Sequence, residues 1–268
     1  MSVDFVILRF ESASVTLDYN LEVTNQALST YLIAVPVPNT VATMERPAAP
    51  LAVVFDAYGT LFDVYSVGLL AEQLFPGRGE AIGVLWRDKQ IEYTRLTSMS
   101  GQYKPFWDLT RAALRFTADR LKLDLTAPNE ERLMNQYRHL SAFPENLDVL
   151  RELKSRGIPT AILSNGDPDM LAVAVKSAGF TEHLDHVLSV HSVRKYKTDP
   201  AAYALGPQAL KLGAKQILFV SSNGWDAIGA TWYGYTTLWV NRHGLPQERL
   251  DTEPSRIGTS LRDVLTFF

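Results

Sequence analysis

Four short stretches of this 268-residue chain carry side chains that do chemistry when brought together. The apolar run Leu51–Phe55 ends at Asp56, with Thr60 in the turn beyond, and a second run ends at Ser164 and Asn165. Lys197 stands in a polar loop, and Ile217–Val220 runs into Ser221, Ser222, Asn223 and Asp226. A carboxylate at the end of an apolar segment needs hydrogen bonds or a cation to stay charged. Lys197 supplies that charge, and Thr60 and Ser164 supply O–H donors. An anion held this way is desolvated but oriented, which suits a carboxylate nucleophile. Each residue also has a plainer role: Asp56 as a turn or helix cap, Lys197 as a solvated loop lysine, Ser164 and Ser221 as strand-end hydroxyls. Asp226 would then be the N-cap of a helix starting at Ala227.

Bringing these residues to one place is the work of a parallel sheet. Leu51–Phe55, Ile158–Leu163, His186–Val190, Ile217–Val220 and Thr236–Val240 read as strands of the short apolar kind that a parallel sheet buries. Helical patterns separate the later ones. Leu147, Leu150 and Leu153 line one face of a helix closed by Gly157. Asp167-Pro168 begins the next as N-cap and first residue, and Gly179 stops it. Asp199-Pro200 opens a third that Gly206-Pro207 should kink or shorten, and Ser260 to Phe267 reads as a closing helix. This alternation predicts an α/β fold, a doubly wound, Rossmann-like parallel sheet with helices on both faces. Functional groups in such sheets collect at the carboxyl ends of the strands. Residues 66–140 show helical spacing (Ile82, Leu85, Trp86, Gln90, Tyr93) and no strong strand, so they are expected to form an inserted helical cap. That leaves 51–65 and 141–268 as the core. Residues 1–50, with β-prone patches at Val3–Phe10 and Tyr31–Val37 and a Pro/Ala stretch at Arg46–Pro50, are expected to be an extension of weak intrinsic structure.

The quoted residues resemble the motifs of the haloacid dehalogenase superfamily. Val54-Phe55-Asp56-Ala57-Tyr58-Gly59-Thr60-Leu61-Phe62-Asp63 resembles its first motif, and Leu163-Ser164-Asn165-Gly166 its second. Tyr196-Lys197-Thr198-Asp199-Pro200 is similar to the third, and Phe219-Val220-Ser221-Ser222-Asn223-Gly224-Trp225-Asp226 to the fourth. With the cap segment Leu85-Trp86-Arg87-Asp88-Lys89-Gln90, the likeness runs over roughly 51–268 and points to the L-2-haloacid dehalogenases in particular. Phosphatases of the superfamily carry a second aspartate two positions after the nucleophile, as general acid and magnesium partner. Tyr58 stands there instead, and the fourth motif holds a single carboxylate, a poor supply of oxygen ligands for a hard cation. A halide leaving group needs no proton.

The resemblance implies two displacements. Asp56 attacks C2 of an L-2-haloalkanoate, and water then hydrolyses the resulting ester to a D-2-hydroxy acid. Asp226 would activate that water, Asn223 and Ser221 would place it, Lys197 would hold Asp56, and Tyr203 matches a family active-site tyrosine. Arg87 resembles the cap arginine that takes up the departing halide, with Asn165 and Trp225 beside it. Ser164 and the backbone N–H groups near Ala57 and Tyr58 would hold the substrate carboxylate, while Ile91, Phe106 and Trp225 wall the alkyl group. No metal and no cofactor are expected; the partners are a 2-haloacid and water, and a second copy of the chain, since family members are often homodimers. Two departures bear on this. Thr198 replaces a usual proline, which predicts a less tightly placed Lys197, and Asp88 replaces a common glutamine, which predicts a weaker pull of Arg87 on halide. Lys195 ranks behind Lys197 for the same role.

Composition narrows the field without naming a chemistry. The 26 basic and 29 acidic residues leave a net charge of −3, so no basic field invites nucleic acid or anionic lipid. Cysteine is absent, which excludes disulfides, thiolate metal sites and a thiol nucleophile, and makes a reducing compartment, the cytoplasm, the expected location. No apolar run approaches the roughly 18–20 residues of a membrane helix, so a soluble protein is expected. A magnesium-dependent phosphatase of the same fold and a catalytically silent binding protein are the two other classes to weigh.

Overall fold

The computed structural model describes residues 49–268 and, as backbone, two short strands near the start of the chain. The chain divides into two compact units, Met1–Arg46 and Pro47–Phe268. In the first, β1 (Leu8–Glu11) pairs antiparallel with β2 (Ser14–Leu17), Leu8 opposite Leu17. The β-prone patch at Tyr31–Val37 and most of the Pro/Ala stretch lie outside the described residues.

The second unit opens with β3 (Ala52–Phe55), every residue of which is buried. Four helices follow before the next strand: α1 (Val67–Leu74), α2 (Gly79–Met99), α3 (Phe106–Leu121) and α4 (Ala127–Arg138). On α2, Ile82, Trp86, Gln90 and Thr94 recur every four residues and are buried, so one stripe of the helix faces inward. Trp86 Nε1 donates to the Thr110 carbonyl of α3 at 2.8 Å.

From α5 (Asn146–Ser155) onward strands and helices alternate: β4 (Thr160–Ser164), α6 (Pro168–Ser177), β5 (His186–Ser189), α7 (Pro200–Tyr203), α8 (Leu205–Leu210), β6 (Ile217–Ser221), α9 (Gly224–Tyr233), β7 (Thr236–Val240) and β8 (Arg256–Gly258). The sheet order is β5-β4-β3-β6-β7-β8, parallel throughout. From β3 the chain first builds outward through β4 and β5. It then returns to the other side of β3 to add β6, β7 and β8. The switch point therefore falls between β3 and β6, where ligands of open α/β sheets bind beyond the carboxyl ends of the strands.

The break expected from Gly206-Pro207 is present, and the closing helix differs in type. The helix beginning at Pro200 is divided in two, because Pro207 has no N–H to offer the Tyr203 carbonyl; the Tyr235 hydroxyl fills that vacancy at 2.6 Å. The closing helix is of the tighter 3₁₀ type over Leu261–Phe267, started by Ser260, whose Oγ accepts the Arg262 N–H.

Candidate active site

Asp56 follows directly on β3, between the ends of β4 and β6, and is only 6% exposed. Its carboxylate meets three donors. Lys197 Nζ donates to Oδ1 at 2.9 Å, while Thr60 Oγ1 and Asn223 Nδ2 donate to Oδ2 at 2.9 and 2.8 Å. Thr60 is oriented in turn by the Ser222 N–H, which donates to its Oγ1 at 2.8 Å. The turn that carries Thr60 depends on Gly59, whose φ of +96° an L side chain rarely adopts. A Cβ there would also sit 3.3 Å from the Asn223 amide.

Lys197 is 1% exposed and bonds a second carboxylate, Asp226 Oδ2, at 2.9 Å. Its backbone N–H donates to Asn165 Oδ1 at 3.0 Å. The looser placement anticipated from Thr198 is thus overturned: two ion pairs and a backbone hydrogen bond hold the lysine. Lys195 lies elsewhere, 3.4 Å from the Ser98 carbonyl and 3.7 Å from Asp199. Asp226 is fully buried inside the first turn of α9, not at its N-cap, and Tyr203 Oη donates to its Oδ1 at 2.8 Å. Burial raises the Asp226 pKa, an effect the Lys197 ammonium opposes. Burial alone would lower the Lys197 pKa, but the two carboxylates outweigh it and keep the ammonium charged above the usual lysine range. Burial likewise pushes the Tyr203 phenol well up, so it remains a donor.

Arg87 comes from α2. The plain reading of a surface helix arginine fails, since it is 8% exposed. Its Nη1 donates to Gln90 Oε1 at 2.8 Å, and Nη2 to the Tyr58 carbonyl at 3.0 Å and to Asn223 Oδ1 at 3.4 Å. Asp88, the next residue, is exposed, because adjacent helix positions do not share a face. Solvent around the exposed Asp88 screens it from the guanidinium, which damps the weakening expected of it. Gln90 carried no assignment in the sequence, yet it braces the guanidinium while bonding Thr110 Oγ1 at 2.6 Å and accepting from Tyr137 Oη at 3.0 Å.

These groups border a small cavity lined by Asp56, Tyr58, Arg87, Ile91, Phe106, Ser164, Asn165 and Trp225. Tyr58 stacks between Phe106 and Tyr137, with ring centroids 5.7 and 5.8 Å away. The ring crosses Gly166 so closely that a Cβ there would lie 2.5 Å from it. Among the described residues neither the Ala57 nor the Tyr58 N–H meets a protein acceptor, which leaves two amides for a ligand at the end of β3. Ser164 and Ser221 are each occupied locally, accepting from the Gly166 and Asn223 N–H groups at 3.0 and 3.1 Å. Ser221 lines no part of the cavity. The Arg95 guanidinium of α2 lies 5.1 Å from the Trp225 ring. Thus Asp56, Thr60, Lys197, Tyr203, Asn223 and Asp226 form one bonded network, and Arg87 joins it through Asn223.

Residues 50–234 match the haloacid dehalogenase-like hydrolase family. The chain is 48% identical over 216 residues to the (S)-2-haloacid dehalogenase of Pseudomonas sp. strain YL, an alignment spanning 81% of this chain and 93% of that protein. A crystal structure of the L-2-haloacid dehalogenase RSc1362 superposes with a TM-score of 0.80 at 61% identity, covering 82% of this chain and 99% of the other. The L-2-haloacid dehalogenase from Xanthobacter autotrophicus with chloropropionic acid covalently bound superposes at 0.75 with 37% identity, covering 80% and 96%. By sequence and by fold, the chain belongs to the haloacid dehalogenase-like hydrolase family.

Proposed function

We propose that this protein is a hydrolytic dehalogenase that converts L-2-haloalkanoic acids into D-2-hydroxyalkanoic acids and halide through an ester on Asp56. What carries this reading is the Asp56 carboxylate itself, buried, paired with the Lys197 ammonium at 2.9 Å and bordering a cavity it shares with a guanidinium. Oδ1 has one donor against two on Oδ2, which leaves it the less crowded oxygen for an incoming carbon. The substrate carboxylate rests on Ser164 and the Ala57 and Tyr58 N–H groups, with its alkyl group against Ile91, Phe106 and Trp225. Oδ1 forms a bond to C2 as the carbon–halogen bond breaks, and the halide leaves with the electron pair toward Arg87 and Asn165. Attack from the side opposite the halogen inverts the carbon. Water, placed by Asn223, whose N–H Ser221 holds from behind, then adds to the Asp56 carbonyl carbon and gives a proton to Asp226. The ester C–O bond breaks, the alkoxide takes the proton of the newly formed Asp56 carboxyl group, Asp226 gives its proton up to solvent, and both carboxylates are restored.

The donor set does not fit Mg²⁺. The space between Asp56 and Asp226 is taken by an ammonium, and Tyr58 presents an aromatic ring where a ligand would be needed. Chloride release from L-2-chloropropionate that EDTA leaves unchanged is the expected result; Mg²⁺-stimulated phosphate release from a phosphate ester with no chloride release would replace this reading.

Arg87→Lys keeps the charge and loses the fork that reaches Gln90 and Tyr58 together. The pre-steady-state burst of halide should slow by about 10²-fold, the scale of losing one aimed donor; an unchanged burst rate would remove Arg87 from the displacement. Tyr203→Phe deletes a hydrogen bond that lowers the Asp226 pKa. Asp226 must be ionised to accept a proton, so the acid limb of ester hydrolysis should move to higher pH. Single-turnover rates across the acid range will read that shift, and a stationary limb would refute it.

We further take residues 66–140 as a cap over the core and 1–50 as an extension, in a cytoplasmic homodimer. Support for the dimer comes from apolar side chains exposed on the cap helices, Leu69 at 75% and Met99 at 85% among them. A monomer in sedimentation experiments would overturn it. The absence of cysteine supports the cytoplasm, which cell fractionation tests.

A further inference from the structure

The Asp167-Pro168 pair has the backbone of a helix start: Asp167 is extended (φ −68°, ψ 154°) and Pro168 is the first residue of α6. An aspartate so placed normally turns its side chain onto its own helix. Here it makes no such bond. Its Oδ1 accepts the Phe106 N–H at 3.0 Å and its Oδ2 the Trp107 N–H at 2.7 Å, both from the first turn of α3. That 16-residue helix has no cap of its own, because its N-cap position holds Pro105, which offers no side-chain acceptor. Two orphan donors and the positive end of a helix dipole are therefore met by a carboxylate from the segment after β4. His191 Nδ1 also lies 3.4 Å from Oδ1 and 3.0 Å from the Tyr103 hydroxyl.

Phe106 is buried in the cavity lining, and Asp167 lies two residues beyond Asn165 in the same lining. We infer that Asp167 is a positioning residue that sets the alkyl selectivity of the site, fixing Phe106 through the first turn of α3 and so fixing the wall that C3 and C4 of the substrate meet. This rests on the dehalogenase reading. The residue touches neither substrate nor Asp56; it acts through a backbone that has no other acceptor.

The test compares kcat/KM for L-2-chloropropionate and L-2-chlorobutyrate in the wild type, Asp167→Ala and Asp167→Asn. Freeing Phe106 relaxes the wall, so the butyrate-to-propionate ratio should rise about tenfold in Asp167→Ala, the scale of discrimination by one methylene. Asp167→Asn retains one acceptor for two donors and should fall between, with a native fold if Asp167→Ala is too unstable to assay. A purely structural cap would lower both substrates by one common factor, and an unchanged ratio in either variant overturns the inference. A wild type that releases no chloride from either acid overturns the dehalogenase reading instead.

Discussion

Asp56→Asn is expected to abolish halide release, by about 10⁵-fold or more, the scale seen when a nucleophile is removed from an enzyme that depends on it. The physical reason is double. A carboxamide nitrogen has no nucleophilic lone pair comparable to a carboxylate oxygen, and the site supplies three donors to a group that then offers one acceptor. Whichever way the amide turns, its NH₂ faces either the Lys197 ammonium or the Thr60 and Asn223 donors. Folding should survive, because Lys197 keeps Asp226 as partner. Chloride assay with circular dichroism checks both parts, and turnover within tenfold of wild type would show that Asp56 is not the attacking group.

Lys197→Met should be the most disruptive change of all, since it affects stability and activity together. The lysine is the counter-charge of two buried carboxylates, and removing one partner of a buried ion pair costs about 3–5 kcal/mol. Without the ammonium, the already raised Asp226 pKa loses the charge that opposes burial and rises further, so the folded state holds that proton to higher pH than the unfolded chain does. A native state that binds more protons than the unfolded chain loses stability as pH rises. Urea unfolding of Lys197→Met should therefore give a higher midpoint in mild acid than in mild alkali. In the wild type, the raised Lys197 pKa adds stability that is lost only above the ordinary lysine range. Equal midpoints for the variant at both pH values, with turnover retained, would contradict this role.

How much of the site was legible follows from how far each signal travels along the chain. Asp56, Ser164 and Ser221 stand where apolar strands stop, and three adjacent parallel strands carry those stops to one edge of the sheet. That much is written in local pattern. The burial of Arg87 is not, because a helix position reads as surface until the structure beneath the helix is known. Gln90 was silent for the same reason: its partners are on α3 and α4, far along the chain. Asp167 misled locally, since Asp-Pro is a sound start signal and the helix does start there. The carboxylate was nevertheless drawn to a bare helix end that only the fold brings near. Thr198 misled in the opposite way, because loop stiffness was judged from one residue while Lys197 is held by contacts from three other segments.

A single turnover in H₂¹⁸O with enzyme in excess over L-2-chloropropionate separates the covalent route through Asp56 from direct attack of water on C2. Water that attacks the Asp56 carbonyl leaves its oxygen in that carboxylate, and the hydroxyl of the product comes from the enzyme. Peptide mass spectrometry should find ¹⁸O in the peptide bearing Asp56 and unlabelled lactate. Label in the lactate with none in Asp56 would mean that water attacks C2 directly and that no ester forms on Asp56.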